Sequence, residues 1–586
     1  MCMTRSFLSV FLVLCFHSVE GSESDRLASL LSAEWADRLR EDPLEATLAG
    51  HSEYDDRLPD LSPEAAKRRY EKNQEWLRQL QGIDREGLSP QGRISGALFE
   101  FDLQSRLKRY EFGTARIPFT SDTGFYSTLT YAFSRMPLRD QAGFERYVER
   151  LHAIPVYLMQ NQDWMVRGLE SGFTMPRIVM VGVGEILKGL GEGPVEAHPL
   201  YTPFATQVHR LPDSKRANFL RRAEVAVRDV VLPAFRSLAD FVSDDYTPKC
   251  RESIGLSELS EGKEYYRFLV SYFTTLDLEP EQVHEIGLAE VARIRREMEV
   301  VIESIGYENG FSQFLQFLRS DEQFYASSAE ELLKEASWLS KRIDGILPAY
   351  FGRLPRMPYG VEAVPDHLAP NYTTGRYSPG VPGGDRGGYY WVNTYALEKR
   401  PLYALPALTL HEAVPGHHLQ IALAQEIEGL PEFRQHFYPN AFGEGWALYA
   451  EKLGKEMGVY RTAYEEFGRL TYEMWRAGRL VVDTGIHYLG WSRDQAVALL
   501  VENSALSRHN IETEIDRYIS WPGQALSYKM GELTIWRLRA EAEKALGERF
   551  DLRSFHDTIL KNGGVTMAVL EQQVANYIKE SRASEQ

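Results

Sequence analysis

The stretch TLHEAVPGHHLQ, residues 409–420, holds the side chains of this chain that are best suited to chemistry. His411 is followed by Glu412, and a Pro-Gly pair then precedes His417 and His418. A His-Glu pair on a helix with another histidine close behind is typical of zinc hydrolases, in which histidines bind the ion and the glutamate acts on a water molecule. The residue types therefore predict a zinc (Zn²⁺) site that carries out hydrolysis.

The spacing of these histidines differs from the regular HExxH motif. His417 follows His411 by six residues, which in a continuous helix means roughly 9 Å of rise and about 240° of rotation, too far for both to bind one ion. Pro415 lacks an N–H group and Gly416 permits unusual dihedral angles, so we expect the helix to be interrupted there. His417 is then the second ligand and His418 a packing or supporting residue, although the choice between the two stays open. The alternative is a histidine-rich turn that binds no metal.

A third ligand is expected from the stretch AFGEGWALYAEKLG, which begins an apolar helix. Glu444 lies 27 residues after the second histidine, and a zinc ion held by three protein ligands keeps its fourth position for water. We expect Gly443 and Gly445 to let this helix approach the metal helix closely. Glu451, two turns further on, is predicted to orient a ligand histidine. For Glu444 taken alone, the alternative is a carboxylate stabilised by the helix dipole.

A second His-Glu pair in the chain provides an internal comparison. His284 and Glu285 lie in a segment of helical periodicity, with Leu288 four residues after the histidine. No further histidine follows closely, so this pair is expected to be structural. It is the clustering of three histidines within eight positions that distinguishes the stretch at 411–418.

Composition excludes several classes of function. The chain has 66 Lys and Arg against 83 Asp and Glu, a net charge of −17, and no basic run, so a nucleic-acid partner is not expected. No GxSxG elbow occurs in the sequence, which argues against a serine hydrolase.

The N-terminus predicts export. Residues 7–16, FLSVFLVLCF, form an apolar run that is too short to span a bilayer and is typical of a signal-peptide core. We expect a signal peptide over residues 1–21, and hence a periplasmic or secreted protein without a membrane span. Only Cys250 would remain after cleavage, so the mature chain is not expected to contain an internal disulfide.

The elements that position the site are predicted to be mostly helical. Residues 65–80 and 280–305 have helical periodicity, whereas residues 371–395 are rich in Gly and Pro and then favour a strand near 389–393. We therefore expect a small β-element before the metal-binding helix, and we expect that strand to pair with an extended substrate.

This change from helical periodicity to a Gly- and Pro-rich composition divides the chain into two regions. Residues 22–345 form an N-terminal helical region, and residues 346–586 form the metal-binding catalytic region. We expect both to be parts of one continuous fold.

Four motifs in order, HEAVPGHHLQ, EGWALYAE, EMWRAGRLVVDTGIH and YISWPGQALSYKMG, resemble the bacterial family of unknown function DUF885 over nearly the whole mature chain. More distantly, the chain is similar to helical gluzincin peptidases of the thimet oligopeptidase and angiotensin-converting enzyme type. Their metal helix reads HExGH, and Gly416-His417 matches its end, although this chain carries an added Ala-Val-Pro stretch. The resemblance implies a large, mostly α, zincin-like (gluzincin) peptidase fold with a deep cleft, and short peptides as substrates.

The same resemblance implies that a tyrosine of a late helix donates to the oxyanion, and Tyr528 is the expected residue. Tyr518 and His487 are reserves for that role. Gln524 is a candidate donor to a peptide carbonyl. Four cations of the C-terminal motifs are candidates for binding a substrate carboxylate: Arg476, Arg479, Arg517 and Lys529. The alternatives are packed core aromatics and ordinary ion pairs.

The sequence as a whole predicts an exported zinc metallopeptidase that cleaves short peptides, with Glu412 as general base. One alternative is a zinc amidase or esterase that acts on non-peptide substrates. Another is a catalytically inactive metal-binding protein. The sequence does not predict the oligomeric state, or whether cleavage is terminal or internal.

Overall fold

The computed structural model describes residues 22–583 with the exception of residues 122, 367, 368, 370, 371 and 382–385. The predicted signal peptide, residues 1–21, lies outside the described residues.

The described residues form 24 α-helices and a three-stranded sheet. The helices before the sheet are α1 (Glu23–Glu41), α2 (Pro43–Leu48), α3 (Pro63–Gln81), α4 (Pro90–Glu111), α5 (Phe125–Arg135), α6 (Gln141–Ser171), α7 (Val181–Gly191), α8 (Thr202–Gln207), α9 (Asp213–Ala226), α10 (Leu232–Asp240), α11 (Gly262–Thr274), α12 (Pro280–Ser304), α13 (Phe311–Ser320) and α14 (Ala329–Ile346). The strands are β1 (Tyr359–Ala363), β2 (Gly375–Ser378) and β3 (Gly388–Val392). The helices after the sheet are α15 (Leu405–Glu412), α16 (His417–Gln425), α17 (Glu432–His436), α18 (Asn440–Glu456), α19 (Ala463–His487), α20 (Arg493–Asn503), α21 (Arg508–Ser520), α22 (Ser527–Leu546), α23 (Leu552–Leu560) and α24 (Met567–Ala583). The predicted mostly α fold, with a small β-element before the metal-binding helix, is confirmed.

Local sequence explains where the two predicted long helices begin. The Ser62 side chain caps α3 by accepting a hydrogen bond from the N–H of Ala65, and Pro63 occupies the first helical position. Pro280 likewise opens α12, whose buried residues Ile294 and Met298 lie one turn apart on one face. Both helices match the segments that periodicity predicts.

The sheet has the strand order β1-β3-β2, with β1 parallel and β2 antiparallel to β3. One face is buried in the core through Tyr377, Tyr390 and Val392, while Arg376 and Trp391 lie on the other, more open face. Because β3 is paired on both sides, the prediction that the strand near 389–393 pairs with an extended substrate is wrong. The edge strand next to the candidate site is β2.

Hydrophobic clusters join the two halves of the chain. One cluster packs Leu98 and Phe99 of α4 against Trp446 of α18 and Ile535 of α22. A second combines Tyr147 of α6 with residues of α19 and α21. The regions 22–345 and 346–586 therefore share their cores rather than burying separate ones.

Helices α18 and α22 cross at a pair of glycines. A Cβ atom added to Gly445 would lie 2.5 Å from Gly531, and one added to Gly531 would lie 1.9 Å from the carbonyl oxygen of Ala441. Neither distance is possible without movement of the backbone, so glycine is required where these helices touch. This crossing fixes the first turn of α18 against the first turn of α22.

In the part of the chain that the structure describes, every helix is too short or too polar to cross a lipid bilayer.

Replacing Gly531 with alanine is expected to lower the free energy of unfolding by about 1–3 kcal/mol, because the added methyl group must force α18 and α22 apart. Gly189→Ala on α7 is the matched control, since an added Cβ meets nothing within 4 Å there, and it should stabilise by about 0.5–1 kcal/mol. Chemical denaturation followed by circular dichroism measures both. A Gly531→Ala protein as stable as wild type would contradict the close crossing.

Candidate metal centre

Three side chains from two segments of the chain converge on one point. His411 lies in the last turn of α15, His417 is the first residue of α16, and Glu444 lies in the first turns of α18. Glu444 Oε2 is 3.5 Å from His411 Nε2 and 3.4 Å from His417 Nε2. All three potential ligand atoms lie within 4.8 Å of one another, and they form the one such group found among the described residues.

The helix is interrupted between the two histidines, as the spacing predicts. Helix α15 ends at Glu412, and the ψ angles of Ala413 (−107°) and Gly416 (−130°) are not helical. The backbone N–H of His418 then donates to the Ala413 carbonyl at 3.1 Å, which restarts the helix. A short irregular segment thus brings the imidazole of His417 beside that of His411 instead of onto the opposite side of a helix.

Two features stabilise the interrupted segment. The indole N–H of Trp446 donates to the carbonyl oxygen of Pro415 at 2.8 Å, which anchors it to α18. A Cβ atom on Gly416 would lie 1.9 Å from the carbonyl oxygen of His411, so only glycine fits at that position. Backbone packing therefore explains the glycine of the Pro-Gly pair.

The two distances from Glu444 are those expected between ligands of a tetrahedral zinc ion. Bonds of about 2.0–2.2 Å in tetrahedral geometry separate ligand atoms by about 3.3–3.6 Å. The two distances from Glu444 to the histidines, 3.5 and 3.4 Å, fall in that range. Two imidazole nitrogens and one carboxylate oxygen are also the donor set of a zinc site with one open position.

His411 is held by an acidic residue on its outer side. Its Nδ1 donates to Glu451 Oε1 at 2.8 Å, which leaves Nε2 directed at Glu444. Arg476 lies 3.4 Å from the same Glu451 oxygen. A carboxylate that fixes the tautomer of a ligand histidine is a usual support for a zinc site, and the sequence predicts this role for Glu451.

His417 is held by packing. Its ring meets that of His411 edge to face, with centroids 4.8 Å apart and planes at 89°. Its buried Nδ1 has no hydrogen-bond partner among the described residues.

Electrostatics couple the three groups. Burial alone would raise the pKa of Glu444, but the adjacent His417 and His411 hold it well below its usual range. Burial would lower the pKa of His411, yet the hydrogen bonds to Glu444 and Glu451 raise it to about 9. The site thus favours positive charge at its centre.

His418 lies outside this group. Its Nδ1 contacts the hydroxyl of Tyr377 at 2.9 Å, and its ring lies 4.5 Å from that of Tyr359. Burial lowers its pKa to about 4, so the ring is neutral at ordinary pH. The structure thus places His418 in a packing contact with the sheet.

Glu412 is positioned by the edge strand. Its Oε2 accepts a hydrogen bond of 2.7 Å from the backbone N–H of Tyr377 on β2. The residue is half-buried and follows His411 directly in the chain. One carboxylate oxygen is therefore fixed by the sheet.

Two tyrosines flank the group. The ring of Tyr528 stacks on that of His411 at 6.4 Å and lies 4.4 Å from the Arg479 guanidinium. The hydroxyl of Tyr438 rests against Gly443, where an added Cβ would be 1.9 Å away. Tyr438 was not predicted from the sequence, where a lone Tyr-Pro pair before a helix carries no signal.

The predicted role of Gly443 and Gly445 is wrong. Gly443 makes room for the Tyr438 hydroxyl and Gly445 for Gly531 of α22. The glycine of α18 that lies against α15 is Gly454, where an added Cβ would be 2.3 Å from Leu410.

Two other predicted residues lie in the protein core. Tyr518 is 1% exposed, and its hydroxyl accepts from Arg479 Nε at 2.8 Å. His487 is 0% exposed, its Nε2 binds the Tyr518 carbonyl at 2.9 Å, and burial lowers its pKa to about 3. His487 also lies about 16 Å along α19 from Arg476, the residue that contacts Glu451. The structure does not bring either residue to the three converging side chains.

Gln524 and Arg517 bind each other. Arg517 donates to Gln524 Oε1 at 2.9 Å, and its guanidinium also lies 3.7 Å from Glu514. Gln524 is 3% exposed. Both are therefore engaged within the protein.

Comparisons with known proteins give a family and a fold. A family model described as "Bacterial protein of unknown function (DUF885)" matches residues 43–574. The crystal structure of a candidate lipoprotein from Colwellia psychrerythraea is 28% identical, with a TM-score of 0.88, and the alignment covers 95% of this chain and 100% of that chain. A candidate lipoprotein of unknown function from Shewanella oneidensis is 18% identical, with a TM-score of 0.73 and coverage of 94% and 99%. These two proteins share the fold of this chain.

A candidate oligoendopeptidase F from Bacillus anthracis aligns with a TM-score of only 0.26 and 11% identity, over 88% of this chain and 95% of that chain. A search of curated proteins finds no significant match.

We expect His411→Ala, His417→Ala and Glu444→Ala to lose bound zinc, because each removes one of three converging ligand atoms. His418→Ala should keep the zinc content of wild type. Glu451→Ala should keep the ligands but weaken zinc binding by about 10–100-fold. Elemental mass spectrometry gives the stoichiometry and competition with a chelator gives the affinity. Loss of zinc in His418→Ala with retention in His417→Ala would reverse the assignment of the second ligand.

Proposed function

The chain belongs to the DUF885 family, and we propose that it is an exported zinc-dependent metallopeptidase that hydrolyses short peptides. The observation that carries the proposal is the convergence of His411, His417 and Glu444, with the free carboxylate oxygen of Glu412 in the next position of the chain. Apolar residues 7–16 support export. So do the two similar solved structures, which are described as candidate lipoproteins.

The donor set favours a catalytic ion over a structural one. His411, His417 and Glu444 would hold zinc, which when bound lowers the pKa of a water molecule to about 7 and polarises a carbonyl group. Structural zinc sites usually have four protein ligands and favour thiolates. Within the described residues the one cysteine, Cys250, is buried in a different hydrophobic cluster.

Glu412 is the proposed general base. Its Oε2 stays on the Tyr377 N–H while Oε1 takes a proton from the attacking water and then delivers it to the leaving amine. Strand β2 thus keeps the carboxylate in one orientation through both transfers. A side chain without this bond would lose part of its orientation to free rotation.

Tyr528 is the proposed donor to the oxyanion. Its half-buried ring is fixed between the His411 imidazole and the Arg479 guanidinium. Helix α22, which carries it, is in turn fixed to α18 by the crossing at Gly445 and Gly531. A hydroxyl group on such a rigid support can stabilise the developing negative charge with little reorganisation.

The outer edge of β2 is the proposed binding place for the substrate backbone. This strand pairs with β3 on one side only; on its other side the Tyr377 N–H is bonded to Glu412, so the substrate would pair with the edge beside that contact. An extended peptide that adds to this edge would lie beside the three converging side chains.

We expect Glu412→Gln to abolish peptide hydrolysis while zinc content stays near that of wild type, because the change removes the proton acceptor and no ligand. Glu285→Gln is the matched control, since Glu285 follows a histidine on α12 but is exposed and remote. Cleavage of a peptide library by mass spectrometry, with zinc content in parallel, measures both. Full peptidase activity in zinc-loaded Glu412→Gln would refute the proposed role of Glu412 as general base. Cleavage of esters or amides but no peptides would favour the zinc amidase or esterase.

Tyr528→Phe should lower kcat by about 10²–10³-fold with KM changed only a few-fold, as expected for loss of one oxyanion donor. Tyr438→Phe tests the other tyrosine that flanks the site. Steady-state kinetics on the best library peptide separates the two effects. If kcat falls in Tyr438→Phe and not in Tyr528→Phe, the donor is Tyr438.

A further inference from the structure

The cations predicted to bind a substrate carboxylate are bound to the protein itself. Lys529 is 0% exposed, and its Nζ lies 2.6–2.9 Å from the carboxylates of three glutamates: Glu290, Glu473 and Glu532. Arg517 binds Gln524 and lies near Glu514. Neither can turn to a substrate without leaving buried charges unpaired.

The two arginines of α19 are similarly occupied. Arg476 lies 3.4 Å from Glu451 and donates to the Tyr472 carbonyl at 3.2 Å. Arg479 donates to Tyr518 at 2.8 Å and to Glu514 at 3.1 Å. Both are buried, so they stabilise the supports of the site rather than its opening.

Arg376 on β2 differs from all of these. Its side chain is exposed, and among the described residues its guanidinium forms no ion pair. Its guanidinium lies over the face of Tyr372, 5.8 Å from the ring centre. An arginine that is not held in a direct ion pair can bind an anionic group.

Arg376 lies at the candidate site. The next residue, Tyr377, donates its N–H to Glu412 at 2.7 Å, and alternation along β2 places the two side chains on opposite faces. Partial desolvation lowers the pKa of Arg376, but the acidic groups of Tyr372, Glu412, Tyr528 and Glu444 outweigh it and raise that pKa. Its positive charge is therefore felt at both glutamates of the site.

We propose that Arg376 binds a carboxylate group of the substrate, so that the preferred substrates carry a free carboxylate close to the cleaved bond. Glu412 is the carboxylate beside β2 that would repel such a group, and the Arg376 guanidinium offsets its charge. The planar guanidinium can hold a carboxylate through two parallel hydrogen bonds. The carboxylate can come from the C-terminus of the peptide or from an acidic side chain. This inference rests on the proposed function, because it assigns the substrate class of the same site.

Binding to a zinc-loaded protein that cannot turn over tests this directly. Three probes are titrated by calorimetry into Glu412→Gln: acetyl-tetra-alanine as the free acid, the same peptide as the C-terminal amide, and that amide with a glutamate at its third position. We expect the acid to bind at least 10-fold tighter than the plain amide. Adding Arg376→Gln should reduce that preference to less than 3-fold, and Arg376→Lys should retain part of it.

Arg386→Gln is the matched control. Arg386 is an exposed arginine next to the same sheet, but it is held by Glu362 of β1 at 2.7 Å. It should keep the full preference for the acid. If the glutamate-containing amide binds as tightly as the acid, an acidic side chain also supplies the carboxylate.

Equal binding of acid and plain amide, or a preference that survives Arg376→Gln, would overturn the inference. Because binding is measured without turnover, the two proposals fail separately. A wild-type protein that hydrolyses no peptide, yet prefers the acid through Arg376, would refute the peptidase and leave the carboxylate site standing.

Discussion

The approach of Glu444 to His411 and His417, within 3.5 Å of both, is the constraint on which the rest of this structure depends. Two of the three side chains come from one interrupted helix and the third from another, so the relative position of α15, α16 and α18 must be correct to a fraction of an ångström. The interruption supplies part of this precision, since Gly416 allows the chain to fold back onto the His411 carbonyl. The contacts of α18 with α15 at Gly454 and with α22 at Gly445 supply the remainder.

Helix α19 supports this arrangement by burying charge rather than by burying only apolar surface. Seven polar residues recur along it at three- and four-residue steps, and all are buried: Glu465, Arg469, Glu473, Arg476, Arg479, Asp483 and His487. Such groups are tolerated only when they are paired, because removal from water costs several kcal/mol for each ion. Arg469 accordingly binds Glu473 at 2.6 Å, and Arg476 reaches the carboxylate that orients His411. The electrostatic pairs that stabilise the core are therefore continuous with those that position a ligand.

Features of the site that depend on neighbouring residues could be predicted from the sequence. Features that depend on contacts between distant segments could not. The helix break follows from Pro415 and Gly416 alone, and the strand near residue 390 follows from a run of aromatic and β-branched residues. By contrast, which strand is central depends on pairing between β1 and β3, which are distant in sequence. The charged stripe of α19 has the pattern of a solvated face, and only tertiary packing shows that it is buried. Arg376 carried no signal either, since an arginine in a Gly-rich loop is ordinary until the fold places it beside Glu412.

The unequal support of the two histidines bears on what the site does. His411 is held on its outer side by Glu451, whereas His417 is held by packing against the His411 ring. His411 lies next to Glu412 and Tyr528, the two groups proposed to transfer the proton and to stabilise the developing charge. The remaining side opens towards Tyr438 and Arg376, both of which are exposed. Fixed geometry is thus found on the side of Glu412 and Tyr528, and solvent access on the side of Tyr438 and Arg376, an asymmetry that agrees with the proposed catalytic role.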